Sequence, residues 1–222
     1  MKQYYIRLVR LIWGLFLYAL GIVITLSAHI GYAPWDVLYV GFATTMGISI
    51  GTASIIFGVI IGIISALFGE KLGLGTILNM VLIGVFFDII LEFHIIPVAN
   101  SFGFGIIMLV VGLFIIALAS YFYIGSALGA GPRDSLMVAL TRKTGLPVGV
   151  CRGLIELIAV FIGWKLGGMV GMGTIISALL IGFCIQTTFK LLKFNAAEVK
   201  HETLDMTYKM LLAIKNNKEE QF

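Results

Sequence analysis

The feature that most constrains this chain is a series of long apolar segments that contain no charged residue. A helix needs about 20 residues to cross the ~30 Å hydrocarbon layer of a membrane. Five uncharged segments approach or exceed that length: 11–28, 51–69, 72–87, 102–128 and 166–189. A sixth, 148–163, is interrupted by Arg152 and Glu156. Only 12 % of the residues are charged and the mean hydropathy is +1.08, whereas roughly a quarter are charged in soluble domains. The sequence therefore predicts an all-α polytopic membrane protein.

Basic residues indicate how the chain is oriented. They are Lys2, Arg7 and Arg10 before the first apolar segment, and Lys190, Lys193, Lys200, Lys209, Lys215 and Lys218 after the last. Because Lys and Arg concentrate on the cytoplasmic side of membrane proteins, we expect both termini there, which requires an even number of crossings. The basic start resembles a secretory signal, but the apolar segment is long, no clear small-x-small cleavage site follows it, and further spans come after it. We therefore expect a retained first helix. The net charge of +4 reflects the same bias and does not indicate nucleic-acid binding.

The chain matches itself without gaps at an offset of 98 residues. "GLFLYAL" (14–20) faces "GLFIIAL" (112–118), with five of seven positions identical. The residues Gly31, Pro34, Asp36 and Leu38 fall on Gly129, Pro132, Asp134 and Leu136. Apolar bias alone would not bring glycines, prolines and aspartates into register. The sequence therefore predicts two tandem membrane repeats, 1–98 and 99–194, followed by a cytoplasmic tail, 195–222, for which we expect a solvated helix with a frayed end.

Each repeat contains one segment that is too short to span. Residues 34–46 and 132–144 follow a Gly-x-x-Pro-x-Asp break, and thirteen helical residues cover only about 20 Å. We expect broken or re-entrant helices, which are tolerated at membrane depth only where they pack in protein or line a wet cavity.

The number of crossings follows from how these short segments run. If they do not cross, each repeat has three long helices and the two halves are inverted; if they do, the halves are parallel. Both arrangements place Arg142 and Lys143 inside, whereas Lys71 is inside only in the inverted one. We favour six long spans with two short helices and keep eight crossings open.

The Pro-Asp motifs at these short helices permit two interpretations. Proline at the first helical position costs no hydrogen bond, and aspartate in the first turn complements the positive end of the helix dipole, so the motif is a well-built helix start. Discontinuous helices at corresponding places in two repeats also indicate a transporter's binding site. Asp36, Arg133 and Asp134 are therefore candidate binding residues. Arg133 stands where the first copy has Trp35, and the alternative roles for it are snorkelling to the headgroups or pairing with the neighbours of Asp134.

Arg152 and Glu156 are four residues apart and share one helix face, where an ion pair can form. A charge inside a span costs about 2.5–3.5 kcal/mol on insertion scales, so both are expected to face protein or water. One interpretation is a buried pair, tied to Asp36 or Asp134, that holds the repeats together. The other is direct contact with a ligand, or proton coupling.

Other chemistry-bearing residues are sparse. We expect Asp88 and Glu92 at an interfacial helix end, and His29 at the end of the first helix, with a proton-relay role as the alternative. Cys151 and Cys184 lack metal-ligand spacing and are expected to be packing residues. There is no serine-hydrolase, Walker, zinc or dinucleotide motif, so we expect neither an enzyme nor a bound cofactor or metal.

A family resemblance rests on particular stretches of the second repeat. "LGAGPRDSLM" (128–137), followed by "RGLIELIAVFIGWKLGG" (152–168) and "GMGTI" (171–175), resembles the YczE branch of the bacterial YczE/YitT group of integral membrane proteins. "GYAPWDVL" and "GLGTI" of the first repeat extend the match to about residues 10–190. The resemblance implies a bacterial inner-membrane protein and no particular activity or substrate.

These observations favour a transporter-like protein for a small anionic or zwitterionic solute. Its polar centre would consist of Asp36, Arg133, Asp134, Arg152 and Glu156. The alternative is a non-transporting membrane scaffold or accessory protein, and a third is a membrane-embedded enzyme or lipid-handling protein. The expected partners are the lipid bilayer and the solute; nucleic acid is not expected, and homodimerisation stays open.

Overall fold

The computed structural model describes residues 2–209, a stretch that consists of helices and their connections and contains no strand. The helices are α1 (Lys2–Ser27), α2 (Pro34–Met46), α3 (Ile50–Leu67), α4 (Leu74–Glu92), α5 (Phe102–Gly125), α6 (Pro132–Thr144), α7 (Val148–Lys165) and α8 (Met172–Leu191). A short 3₁₀ turn, Ala196–Glu198, follows α8. Six helices are long and two, α2 and α6, are short.

The long helices have the length and the surface of membrane spans. Five of them (α1, α3, α4, α5 and α8) are long and apolar enough to cross a membrane. α7 contains three charged residues and qualifies only together with α6, from which it is bent by 120°. The outer faces carry large apolar side chains, such as Phe161 at 59 % and Leu179 at 74 % exposure. In water such a surface would be unstable, whereas lipid accommodates it. The chain is a multi-pass integral membrane protein.

The two short helices have the bounds that the sequence predicts. Pro34 and Pro132 occupy the first turn, where the missing N–H leaves no hydrogen bond unmade. Gly47 and Gly145 end the helices in left-handed conformation, with φ of +66° and +71°.

The two halves of the chain share further features at the offset of 98. The bounds of α3 and α7 match residue for residue, and α4 and α8 begin 98 residues apart. Left-handed glycines also recur in pairs, as in Gly31 and Gly129, with φ of +115° and +137°. These are features that an internal duplication would produce; the duplication itself stays a prediction.

Helices α1 and α5, which the predicted repeat makes equivalent, run antiparallel. Arg7, near the start of α1, donates from Nε to the carbonyl oxygen of Ser126, just after α5, over 2.7 Å. Gly105, near the start of α5, lies against the carbonyl of Ala28, just after α1. Opposite directions for equivalent helices are what an inverted arrangement requires.

The short helix α2 returns to the side of the membrane from which it starts. The end of α1 lies beside the segment after α4, because the Ala99 N–H donates to the Ser27 carbonyl over 2.9 Å. The start of α3 lies beside the end of α4, because the Gly51 N–H donates to Asp88 Oδ1 over 2.8 Å. Since α2 connects these two points, it does not cross. This is the geometry of the six-crossing arrangement.

The opposite side of the molecule is joined by the C-terminal segment. The Glu202 N–H donates to the Ala127 carbonyl between α5 and α6, and the Leu204 N–H donates to the Leu72 carbonyl between α3 and α4, over 2.8 and 2.9 Å. The Glu202 carboxylate also forms an ion pair with the Arg7 guanidinium at the start of α1. Lys71 precedes Leu72 and therefore lies on this side, as in the inverted arrangement.

The prediction of a solvated helix for the tail is wrong for its first part. After the 3₁₀ turn the chain is extended until a helix begins at Leu204, because its backbone bonds to neighbouring connections instead of to itself. Thr207 is buried rather than solvated. The predicted frayed end, 210–222, lies outside the described residues.

The two halves also hold each other reciprocally. The Gly75 N–H at the start of α4 donates to the Leu128 carbonyl over 2.7 Å, and the Gly173 N–H at the start of α8 donates to the Ile30 carbonyl over 2.8 Å. Likewise α2 packs on α7 and α6 packs on α3. The connection that leads into each short helix is therefore fixed by the other half of the chain.

Candidate functional site

A cavity of about 400 Å³ lies between the two halves and receives side chains from all eight helices. Its volume is in the range of small-molecule sites. The first turns of both α2 and α6 line it. So do the predicted site residues, namely Asp36, Arg133, Asp134, Arg152 and Glu156. The structure thus brings these five together; their role in binding stays a prediction.

The two helix starts face the cavity without side-chain caps. The residues before the helices, Ala33 and Gly131, have extended backbone with φ near −60° and ψ near +150°, and neither provides a capping side chain. The first N–H groups of a helix have no intrahelical acceptor, and they carry the positive end of the helix dipole. Asp36 and Asp134 sit in these first turns and partly balance that charge.

Arg133 connects the two short helices. Its guanidinium donates to Tyr39 Oη of α2 over 2.6 Å, and it lies 4.7 Å from the ring centre of Trp35 and 5.3 Å from that of Tyr39. A guanidinium stacks favourably on aromatic faces and keeps its other N–H groups available. Snorkelling to the headgroups and pairing with the neighbours of Asp134 were the alternatives for Arg133, whereas in the structure its guanidinium contacts aromatic side chains of the other half.

The two motif carboxylates have no bonded partner in the part of the chain that the structure describes. Asp36 is 5 % exposed, whereas Asp134 is exposed, and both line the cavity. Among residues 2–209, neither carboxylate accepts a hydrogen bond from a side chain or lies within 4 Å of a cationic nitrogen. A buried charge normally has such partners. The cavity therefore holds negative groups that its own wall does not satisfy.

Arg152 and Glu156 form the pair that their spacing predicts. Nε of Arg152 donates to Oε1 of Glu156 over 2.9 Å, with side chains 45 % and 20 % exposed. The expected tie to Asp36 or Asp134 is absent among the described ion pairs. The pair lies at the wall of the cavity and is largely neutralised within itself.

Several hydroxyl groups in the cavity have no signal in the sequence that would single them out. Tyr18 and Ser120 bond to each other over 2.6 Å. Tyr123 and Ser177 are each 2 % exposed, and their hydroxyls have no hydrogen-bond partner within the part of the chain that the structure describes. Such residues are common in apolar helices, so nothing in the sequence marks them. Trp35 alone carried a signal, since it occupies the position equivalent to Arg133.

The C-terminal segment approaches the same region. Burial lowers the pKa of His201 below its usual value of 6.5, and the nearby negative charge of Asp134 opposes that shift without reversing it. Nδ1 of His201 is buried and has no partner among the described residues. His201 is therefore held neutral on the side of the molecule where the tail lies.

The remaining candidates lie away from the cavity. Asp88 accepts from the Gly51 N–H and from Ser49 Oγ, over 2.8 and 2.6 Å, at the end of α4. Glu92 is exposed at the same end. Within residues 2–209, no group of three or more His, Cys, Asp or Glu side chains could hold a metal ion.

Comparison with known sequences now adds a family to this geometry. The sequence model of a family of unknown function, DUF6198, matches residues 5–190. The chain belongs to this family. It is 36 % identical over 190 residues to an uncharacterized membrane protein of Bacillus subtilis, YczE, covering 83 % of this chain and 87 % of that protein. The resemblance to the YczE branch is thereby confirmed.

Two further relatives are more distant. An uncharacterized protein of Haemophilus influenzae is 31 % identical over 176 residues, covering 79 % of this chain and 80 % of the relative. The uncharacterized protein YyaS of Bacillus subtilis is 24 % identical over 176 residues, covering 78 % and 87 %. No solved structure matches the chain.

Proposed function

We propose that this protein carries a small polar solute across the membrane through the cavity between its two halves. The strongest support is that the first turns of both short helices line the same cavity. There, Arg133 of one half contacts Trp35 and Tyr39 of the other half. Broken helices that face a shared site are how secondary transporters build their binding centres. Under this proposal the protein moves its solute without changing it chemically.

The antiparallel α1 and α5 suggest how transport would proceed. Two halves with opposite orientation in the membrane can rock against each other. This motion exposes a fixed central site first to one side of the membrane and then to the other. The reciprocal contacts through Gly75 and Gly173 lie at the loops that lead into α2 and α6. These loops would keep the short helices attached to the opposite half during such a motion.

The scaffold alternative requires polar residues that satisfy one another. Arg152 and Glu156 fit it, since they form a pair. Asp36 and Asp134 do not, because their carboxylates have no bonded partner among the described residues and Asp134 is exposed to the cavity. Unpaired charge inside a membrane protein is expensive and is kept where it has a function. This favours transport over a role in holding the helices together.

The orientation that we propose places the tail and the start of α1 in the cytoplasm of a bacterial cell. Arg7 and the tail lie on one side, and Lys71 and Arg142 are on the same side, because Arg142 donates to the Phe68 carbonyl at the end of α3 over 2.8 Å. Concentration of basic residues on one side is the mark of the cytoplasmic face. The membrane would be the inner membrane.

Transport is tested with the purified full chain in liposomes. Uptake of a broad panel of radiolabelled metabolites is measured, in parallel with the thermal stability of the protein in the presence of each compound. We expect at least one compound to be taken up saturably and to raise the melting temperature. The variant Asp134→Asn should lose uptake, while Glu92→Gln, which changes an exposed carboxylate outside the cavity, should retain it. Absence of both flux and stabilisation across the panel would contradict the proposal.

A further inference from the structure

The chemical class of the solute follows from which groups of the cavity remain unsatisfied. Of the five charged side chains on its wall, Arg152 and Glu156 neutralise each other. Arg133 is the other cation, and it has an acceptor in Tyr39 and an aromatic face in Trp35. Two carboxylates, Asp36 and Asp134, face this single remaining cation. The wall therefore carries one negative charge in excess.

Asp36 lies near enough to Arg133 to interact with its charge, although the two do not form an ion pair within 4 Å. This interaction spans the two halves, since Asp36 is on α2 and Arg133 on α6. Asp134 likewise has no cationic nitrogen within 4 Å among the described ion pairs, and the charges of Arg152 and Arg133 act on it only from a longer distance. It is also the more exposed of the two carboxylates and is open to the cavity.

One hydroxyl group, that of Tyr123, lies close to this carboxylate. Gly131, before α6, keeps the space open: a Cβ there would lie 3.1 Å from Asp134 Oδ2 and 3.9 Å from Tyr123 Oη. The carboxylate oxygen and the Tyr123 hydroxyl thus lie next to the same part of the cavity. Tyr123 and Ser177 are each 2 % exposed, line the cavity, and have hydroxyls without a partner among residues 2–209. Buried hydroxyls of this kind are normally hydrogen-bonded.

We propose that the solute carries a protonated primary amine, which binds Asp134 and donates hydrogen bonds to the hydroxyls of Tyr123 and Ser177. An ammonium group has three N–H donors and one positive charge, which matches one carboxylate, two acceptors and the excess negative charge of the wall. The inference rests on the proposed function only in assuming that a solute enters this cavity.

Other solute classes fit less well. A plain anion would add to the negative excess and would compete with Asp36 for Arg133. A quaternary ammonium would satisfy the charge but would leave the two hydroxyls unpaired, since it has no N–H donor. A zwitterion such as a free amino acid contains the same amine, and its carboxylate could use the N–H groups of Arg133 that Tyr39 does not occupy. From sequence, an anionic or zwitterionic solute was expected; the charge balance retains only the zwitterion of these two.

Binding to the purified full chain in detergent tests the inference, with ethanolamine, choline, glycine, N-acetylglycine and succinate as the probes. Thermal stabilisation and titration calorimetry are measured for each. We expect ethanolamine or glycine to bind, and choline and N-acetylglycine to bind at least about tenfold more weakly. These comparisons use the unmodified protein and so do not depend on any variant folding. Preference for succinate or N-acetylglycine, or failure of both amines to bind, would overturn the inference.

Two variants locate the binding group. Asp134→Asn has nearly the same shape without the charge and should weaken amine binding at least about tenfold, whereas Glu92→Gln should bind as the unmodified protein does. Equal weakening in both variants would overturn the inference.

Uptake into liposomes separates the two proposals. Amine binding without flux would contradict transport and leave the amine site standing, whereas flux of succinate would support transport and overturn the amine site.

Discussion

Arg133 and Trp35 occupy equivalent positions of the two halves, 98 residues apart, and they touch, with the guanidinium 4.7 Å from the ring centre. If the two halves are repeats, as the sequence predicts, residues that are equivalent and in contact lie close to the axis that relates the halves. At this contact the two halves differ, because one contributes the cation of Arg133 and the other the aromatic face of Trp35. A solute bound there, as we propose, would contact a wall that differs between its two sides.

Glycines at the entries to the short helices provide the test at this scale. A Cβ at Gly31 would lie 2.6 Å from the Gly171 backbone nitrogen, and one at Gly129 would lie 2.7 Å from Thr76 Oγ1; φ is +115° and +137°. Gly31→Ala and Gly129→Ala should each lower the free energy of unfolding by about 3 kcal/mol or more, through backbone strain and overlap. Gly47→Ala is the matched control, since φ is +66° and no atom lies within 4 Å; it should cost roughly 1 kcal/mol. Thermal and denaturant unfolding in detergent measure the stability of all three variants. Equal losses of stability at the three positions would contradict the close approach of the two halves.

At the scale of the elements, the short helices were the most predictable part of the fold. Proline begins each one and a left-handed glycine ends it, so local chemistry determines both bounds. The bounds of the long helices were less predictable. The sequence placed the first span at 11–28, whereas α1 starts at Lys2, because a helix can continue past the membrane into a region where hydropathy no longer marks it. The hydrogen bond from Arg133 to Tyr39 could not be predicted, since nothing in the sequence distinguishes Tyr39 from other aromatic residues of apolar helices.

The extended part of the tail should respond to pH through His201. Burial depresses the pKa of His201 in the docked state below 6.5, so docking is fully favoured above about pH 6.5 and is weakened as the pH falls through the docked-state value. A spin label at Met206→Cys, a position 58 % exposed, should become more mobile between pH 8 and pH 5 when Cys151 and Cys184 are replaced by Ala. His201→Gln should remove this dependence. An unchanged pH response in His201→Gln would assign the titration to another group.

At the scale of the whole molecule, the number of crossings is what the sequence left open. Hydropathy could not determine the number of crossings, because a short apolar helix has the same hydropathy whether it crosses the membrane or turns back within it. The structure favours six crossings through pairs of contacts, such as Ala99 with Ser27 and Gly51 with Asp88, which place both ends of α2 on one side of the molecule. Such contacts join residues 37 or more positions apart, and no local pattern predicts them.

Cysteine labelling in intact cells tests this topology at two equivalent positions. Met46→Cys, at the end of α2, should react with a membrane-impermeant thiol reagent added outside, whereas Thr144→Cys, at the end of α6, should react only after the cells are opened. Eight crossings would place both positions in the cytoplasm. Protection of Met46→Cys in intact cells would therefore contradict six crossings, with Thr144→Cys as the internal reference.

The most direct test of the central claim is whether the cavity opens to both sides of the membrane. Ser54 lies on α3 in the wall of the cavity, and Ser65 lies on the same helix, fully buried and outside that wall. With Cys151 and Cys184 replaced by Ala, the reaction rates of Ser54→Cys and Ser65→Cys with an impermeant thiol reagent are measured in right-side-out and in inside-out vesicles. We expect Ser54→Cys to react in both vesicle types and Ser65→Cys in neither. Reaction of Ser54→Cys from one side only, or from neither, would contradict a solute pathway through this cavity.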